Sequence, residues 1–282
     1  PEEANTFSEK WIKSREGDML NPINDIQFKD LMSNLQDEVY KKNKKQIFDE
    51  NEMIDLKPTT IKGVVRKLET SDLFGIDEDL NGRLFETFLN ATMRGSSLGQ
   101  YFTPRSIVLL GTLIADLQIN EQHIDKVLDG SCGTGGFLIE ALTIMRDKVR
   151  QNDSCSNERK IDIIKELSND CLFGIDAAKD PKLARIARIN MYLHGDGGSH
   201  IYLGDGLEKI LEVDKSDTKE FQYETTEMAK HFLPNMFDVV LTNPPFSMWY
   251  ESSDEAQGKV LEKYDLTKYE GTGEIRNRLR GS

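Results

Sequence analysis

The sequence predicts an α/β chain in two parts, an all-helical N-terminal domain over residues 1–93 and a doubly wound parallel sheet over residues 94–282. Three observations carry this reading. Before residue 100 the apolar residues recur at helical spacing and nowhere alternate as a half-buried strand requires. After it, short apolar runs alternate with helix-length stretches, the pattern of a parallel sheet with crossover helices. Two of those runs end in turns crowded with glycine or proline, at the strand ends where open α/β sheets hold their ligands.

Taken in order, a first helix is expected within 26–48, where Phe28, Leu31, Leu35 and Val39 line one face. Pro58 followed by Thr59 and Thr60 marks another helix start. A third helix runs through Leu84, Phe85, Phe88 and Leu89. Arg94-Gly95-Ser96-Ser97-Leu98-Gly99 is a flexible joint by composition. Strands are expected at 126–129, 171–176, 201–205 and 237–242, with helices at 137–149, 161–167 and 181–193. Residues 207–236 read as a long polar insertion, and residues 250–282 as a charged stretch without a strand. A doubly wound sheet does not normally stop at a fourth strand, because its edge and apolar faces need cover. The fold is therefore expected to be incomplete at its C-terminal end.

The chain has 282 residues, 38 % hydrophobic and 30 % charged, which suits a globular protein and argues against disorder throughout. No apolar run is long enough to cross a bilayer and no signal peptide opens the chain. Cys132, Cys155 and Cys171 form an odd, sparse set, read as reduced thiols in the cytoplasm. No CxxC or HxxxH spacing suggests a metal site, so none is expected. The net charge of -13 counts against a tight, autonomous grip on a DNA backbone. It allows an enzyme that a partner brings to DNA. Lys41-Lys42-Asn43-Lys44-Lys45 reads as solvated helix surface, with a local DNA contact as the minority reading.

The first chemical motif is Val127-Leu128-Asp129-Gly130-Ser131-Cys132-Gly133-Thr134-Gly135-Gly136-Phe137-Leu138, a strand ending in an acid, a glycine-rich turn and a helix start. A phosphate-binding loop requires Gly-Lys-Ser/Thr, and a dinucleotide fingerprint a glycine where Leu138 stands. S-adenosylmethionine carries no phosphate. It needs room, backbone contacts and an acid near its ammonium group, which Asp129 can supply; the competing reading is a tight turn without ligand. Asp176, ending the second strand, suits either a ribose or the cap of the next helix. Asp205, ending the third, suits either the adenine amino group of a cofactor or a turn.

The most specific motif is Thr242-Asn243-Pro244-Pro245-Phe246. The amino group of adenine is a poor nucleophile because its lone pair is delocalised into the ring. Acceptors that hold both amino protons favour a pyramidal nitrogen and free that pair. The Asn243 side-chain carbonyl and the Pro244 main-chain carbonyl are two such acceptors, and proline brings no competing N–H. Phe246 offers a face for an extruded base. If the first and fourth strands are neighbours at the switch point, both motifs lie side by side.

Gly99-Gln100-Tyr101-Phe102-Thr103-Pro104-Arg105 resembles the motif that precedes the glycine-rich loop in adenine-specific DNA methyltransferases of the gamma order. Leu183-Ala184-Arg185-Ile186-Ala187-Arg188-Ile189-Asn190-Met191-Tyr192-Leu193-His194-Gly195 is similar to that family's helix after the ribose acid, and residues 77–89 to the helical lead-in of type I methylation subunits. The resemblance covers roughly residues 70–247 and points to the methylation subunit of a type I restriction-modification system. It implies a Rossmann-like methyltransferase domain that binds S-adenosylmethionine through Gln100, Tyr101, Phe102, Thr103, Pro104, Arg105, Asp129, Gly133, Thr134, Gly135, Gly136, Asp176 and Asp205. Asn243, Pro244, Pro245 and Phe246 would be catalytic. DNA, a specificity subunit and a restriction subunit are the implied partners. Two departures stand out: Asp129-Gly130-Ser131 replaces a common Asp-Pro-Ala, and Asp176 replaces a common Glu. The alternatives are a non-catalytic module that holds cofactor or partner subunits, and a methyltransferase for protein glutamine or RNA.

Overall fold

A computed structural model describes residues 8–15, 21–34, 52–71, 87, 103–178, 182–195, 200–208, 215, 219–245, 249–251, 253, 255–264, 267–269, 273–274 and 278–280. The chain divides into two compact units, residues 1–81 and 82–282. The expected boundary after residue 93 and the helix through Leu84 and Leu89 lie outside the described residues.

The first unit is built from α1 (Glu9–Arg15), a π-helical turn at Ile23–Phe28 that continues as α-helix to residue 34, and α2 (Pro58–Leu68). Pro58 sits in the first turn of α2, where its missing N–H has no intrahelical partner to lose. Ile12, Ile23, Ile61 and Val65 form the core of this unit. Asn24 fastens the loop at Ile54, donating to its carbonyl at 2.9 Å and accepting from its N–H at 2.8 Å. The expected first helix begins three residues early, at Ile23; its positions Leu35 and Val39 are not among the described residues.

In the second unit, α3 (Arg105–Ala115) precedes β1 (Val127–Asp129), α4 (Gly136–Arg150), α5 (Asn157–Asp170), β2 (Leu172–Asp176), α6 (Leu183–Leu193) and β3 (His200–Leu203). Next come α7 (Lys219–His231), β4 (Val239–Val240), β5 (Trp249–Glu251), α8 (Glu255–Glu262) and β6 (Arg278–Arg280). The main sheet has the order β3-β2-β1-β4, and all its pairs are parallel. The chain builds outward from β1 through β2 to β3, then returns to the other side of β1. That reversal creates a switch point between β1 and β4.

Strands β1, β2 and β3 direct successive residues to opposite faces. Val127, Leu172, Ile201 and Leu203 pack with Leu138, Leu142, Ala184, Ala187 and Met191 on the face covered by α4 and α6. Burying each such Leu contributes about 1.5–3 kcal/mol. Leu128, Ile175 and Tyr202 point the other way, against Met228 and Phe232.

Two expectations need correction. Residues 207–236 are not only a polar insertion: α7 lies within them, and its Met228 covers the second face of the sheet. Residues 250–282 do contain a strand, because β5 pairs antiparallel with β6. The helix α3 was not anticipated either. Ile107, Val108, Leu109, Leu110, Leu113 and Ile114 leave it no polar stripe by which to recognise a period. No described helix is long and apolar enough to cross a membrane.

Candidate active site at the carboxyl edge of the sheet

The glycine loop leaves β1 at Asp129 and enters α4 at Gly136. Gly135, at φ 89°, caps the helix start in a left-handed conformation that a side chain would strain. Asn190 on α6 is buried and donates its Nδ2 to the Thr134 carbonyl at 2.9 Å, holding the loop from outside. Among the described residues, the buried Asn190 Oδ1 has no hydrogen-bond partner.

The first and second strand ends are stitched together. The Cys132 N–H donates to the Ile175 carbonyl at 2.8 Å, and the Gly133 N–H to Asp176 Oδ2 at 2.9 Å. Asp176 Oδ1 accepts from the Ala178 N–H at 2.9 Å, a local turn bond, and the next helix takes Lys182, not Asp176, as its N-cap. A carboxylate accepts about four hydrogen bonds, so roughly two directions remain for ligand hydroxyls. The third strand end joins them. A Cβ on Gly206 would fall 2.1 Å from the Gly130 carbonyl oxygen, so here the two backbones touch. Asp205 beside it accepts from the Leu207 N–H at 2.9 Å, a turn role.

Asp129 is only 2 % exposed. Burial pushes its carboxyl up to about 7; bonds from the Ser131 N–H and the Thr242 side chain oppose this, and the nearby Asp176 charge adds to it. Burial also raises Asp176. Two crowded, desolvated acids beside a loop of backbone groups fit a ligand that brings positive charge and hydroxyls but no phosphate. S-adenosylmethionine has that donor set.

The fourth strand end carries Asn243, Pro244 and Pro245; Phe246 lies outside the described residues. Asn243 Nδ2 donates to Thr103 Oγ1 at 2.9 Å. Thr103 precedes Pro104, the N-cap of α3, and Arg105 opens that helix in an exposed position. A Cβ on Gly111 of α3 would lie 3.2 Å from the Phe137 ring of α4, so α3 sits close against the helix that the glycine loop begins. Gln100, Tyr101 and Phe102 lie outside the described residues.

The structure thus brings Thr103, Asp129, Gly133, Thr134, Gly135, Asp176, Asp205 and Asn243 to one edge of one sheet. Three further residues belong to this edge: Thr242 and Asn190, which stand inside recognised motifs without a site role there, and Gly206, which lies outside them. Thr242 was legible as a polar residue directly after an apolar strand. Asn190 was legible as an amide on the apolar face of α6.

At the opposite edge, ligand atoms of His123, Asp125 and Asp238 lie within 4.8 Å of one another. Asp125 binds His123 at 2.8 Å and accepts from the Gln118 N–H at 2.6 Å, while Asp238 accepts from the Lys126 N–H at 2.9 Å. The last of these bonds fastens the starts of β1 and β4 to each other, while the Asp125 bonds close the turn before β1.

Residues 76–272 match the family model described as N-6 DNA methylase. The chain is 34 % identical over 148 residues to the type II restriction enzyme and methyltransferase RM.BcgI of Heyndrickxia coagulans, covering 48 % of this chain and 21 % of that protein. It is 30 % identical over 200 residues to the StySPI methylase subunit of a type I restriction enzyme of Salmonella potsdam, covering 67 % of this chain and 32 % of that one. Among solved structures, it is similar to a type I restriction-modification system methyltransferase subunit from Streptococcus thermophilus, with a TM-score of 0.52, 21 % identity and coverage of 88 % and 46 %. That likeness shows the shared fold. The chain spans about a fifth to a third of the length of these curated relatives. With the family model matched over well more than half of its residues, the chain belongs to the N-6 DNA methylase family.

Proposed function

We propose that this chain carries the transfer site of an S-adenosylmethionine-dependent, adenine-specific DNA methyltransferase, acting as the modification subunit of a type I restriction-modification complex in the cytoplasm. The observation that carries the reading is the meeting of two motifs at the switch point. Thr242 of the β4 turn reaches Asp129, which opens the glycine loop, and Asn243 reaches Thr103, which lies upstream of it in the sequence.

In this reading Asp129, the loop 133–136, Asp176 and Asp205 hold the cofactor, which supplies an electrophilic methyl group when bound. Asn243 Oδ1 and the Pro244 carbonyl accept the two amino protons of adenine. This localises the nitrogen lone pair and aims it at the methyl. Phe246 stacks on the extruded base. Proximity and alignment do most of the work, and the amine proton leaves to solvent after transfer, so no strong base is needed. Family membership supports DNA over RNA or protein glutamine, and the chain's charge of -13 supports delivery by a specificity subunit, with a restriction subunit in the same assembly.

The test is methyl transfer by the complete enzyme containing this chain, offered DNA, RNA and protein with labelled cofactor. Label in DNA adenine, abolished by Asn243→Ala, supports the proposal. Label in RNA or protein would redirect it, and full activity of Asn243→Ala would reduce the chain to a non-catalytic module.

A further inference from the structure

We infer that Thr103 is a positioning residue that holds the Asn243 amide in the one orientation useful for adenine methylation. The inference rests on the reading of Asn243 given above and adds the device that Asn243 needs.

An asparagine amide is nearly symmetric in shape and opposite in chemistry at its two ends. A half-turn about its last torsion exchanges the acceptor Oδ1 with the donor Nδ2. In one state the carbonyl faces the adenine amine. In the other, N–H groups face N–H groups and the nitrogen lone pair is not freed. Asn243 Nδ2 donates to Thr103 Oγ1 at 2.9 Å, which turns Oδ1 away from Thr103. A hydroxyl can also donate to a flipped carbonyl, but that would spend the carbonyl on Thr103 and leave the amine without its acceptor. Only the observed orientation satisfies Nδ2, Oδ1 and the amine together. Without Thr103, Nδ2 would have to find another acceptor in a site from which the base excludes water.

The backbone favours this contact from both sides. Thr103 precedes Pro104 and Asn243 precedes Pro244, and a residue before proline is confined to extended conformations. Thr is also stiff at its first torsion because it is β-branched. Two segments 140 residues apart therefore meet with few torsions left to fix. Pro104 caps α3, and α3 packs through Gly111 against Phe137 of α4. Thr103 is thus mounted on the same frame as the glycine loop. Thr242 makes a parallel link from the neighbouring position to Asp129.

The experiment is single-turnover methyl transfer by the complete enzyme, with cofactor affinity measured separately for Thr103→Val, Thr103→Ser and Asn243→Ala. Thr103→Val is expected to lower the single-turnover transfer rate at saturating cofactor about ten- to a hundredfold, beyond any change in the cofactor dissociation constant. Thr103→Ser keeps the hydroxyl and is expected to stay within about threefold of the parent rate. Three outcomes would overturn the role: an unchanged rate in Thr103→Val, a serine variant as slow as the valine one, or a loss that appears only in cofactor affinity. If Asn243→Ala transfers methyl at the parent rate, the reading of Asn243 itself falls. If Asn243→Ala is inactive and Thr103→Val is unaffected, only the positioning role falls.

Discussion

The backbone N–H of Gly133 donates to the Asp176 carboxylate across 2.9 Å, so the acid that ends β2 also closes the loop that follows β1. Asp176→Ala removes both this bond and the bond from Ala178. It is expected to weaken S-adenosylmethionine binding at least about tenfold, about 1.4 kcal/mol. Asp176→Asn keeps an acceptor for Gly133 and is expected to fall between parent and alanine. Calorimetric titration of the three proteins checks the order.

Asp129 gives a pH signature. Its folded carboxyl titrates near 7, against about 3.9 when unfolded. Between those values the folded state binds the proton and the unfolded state has released it. Stability therefore falls as pH rises through that window and levels off above it. Asp129→Asn removes this contribution, so its gain over the parent is expected to grow from pH 5 to pH 8 by about 2–4 kcal/mol. Denaturant melts of both proteins at several pH values measure the difference, and a gap independent of pH would refute it. The same variant is expected to bind cofactor more weakly.

Arg188 and Glu224 form an ion pair at 2.6 Å between α6 and α7, with side chains only 8 % and 6 % exposed. The Arg188 Nε–H also donates to the Ile201 carbonyl at 2.9 Å. Arg188→Met takes the guanidinium away from a buried carboxylate and is expected to cost about 3–5 kcal/mol. Adding Glu224→Leu is expected to recover most of that, since an apolar pair of similar volume replaces the charges. A thermal-melt double-mutant cycle reads the coupling.

Gly206→Ala puts a methyl 2.1 Å from the Gly130 carbonyl oxygen, a contact with backbone that no side-chain rotation relieves. The loops after β1 and β3 must separate. A stability loss of about 1–3 kcal/mol is expected, together with weaker cofactor binding, because the shift opens the site where the two loops meet.

The strands were legible because those of a parallel sheet are covered on both faces and read as continuous apolar runs, as at Leu172, Phe173 and Ile175. The glycine and Asn-Pro-Pro turns were legible because their backbone demands leave few residue choices. In α7, Phe221, Thr225 and Met228 keep helical spacing, but the charged residues between them mask it. The β5–β6 pair has strands of three residues, too short for alternation to register. Asn190 stands out as an amide on an apolar helix face, but nothing in the sequence pairs it with Thr134, because a long-range bond depends on the tertiary fold.

β4 is two residues long and, among the described strands, pairs with β1 alone; its Val240 is 59 % exposed. The Asn-Pro-Pro turn thus hangs from the shortest of the described strands of the main sheet, while the glycine loop follows β1, which pairs on both sides. The two halves of the site then differ in how readily they open. Local fluctuations release the base-holding half first, at a free energy set by the Leu241 bond to the Leu128 carbonyl and by the Thr242 and Asn243 links rather than by the core. Amide exchange at Leu241 would be fast beside that of the β2 amides and would slow when a base is seated, making substrate the last structural member of the fourth strand.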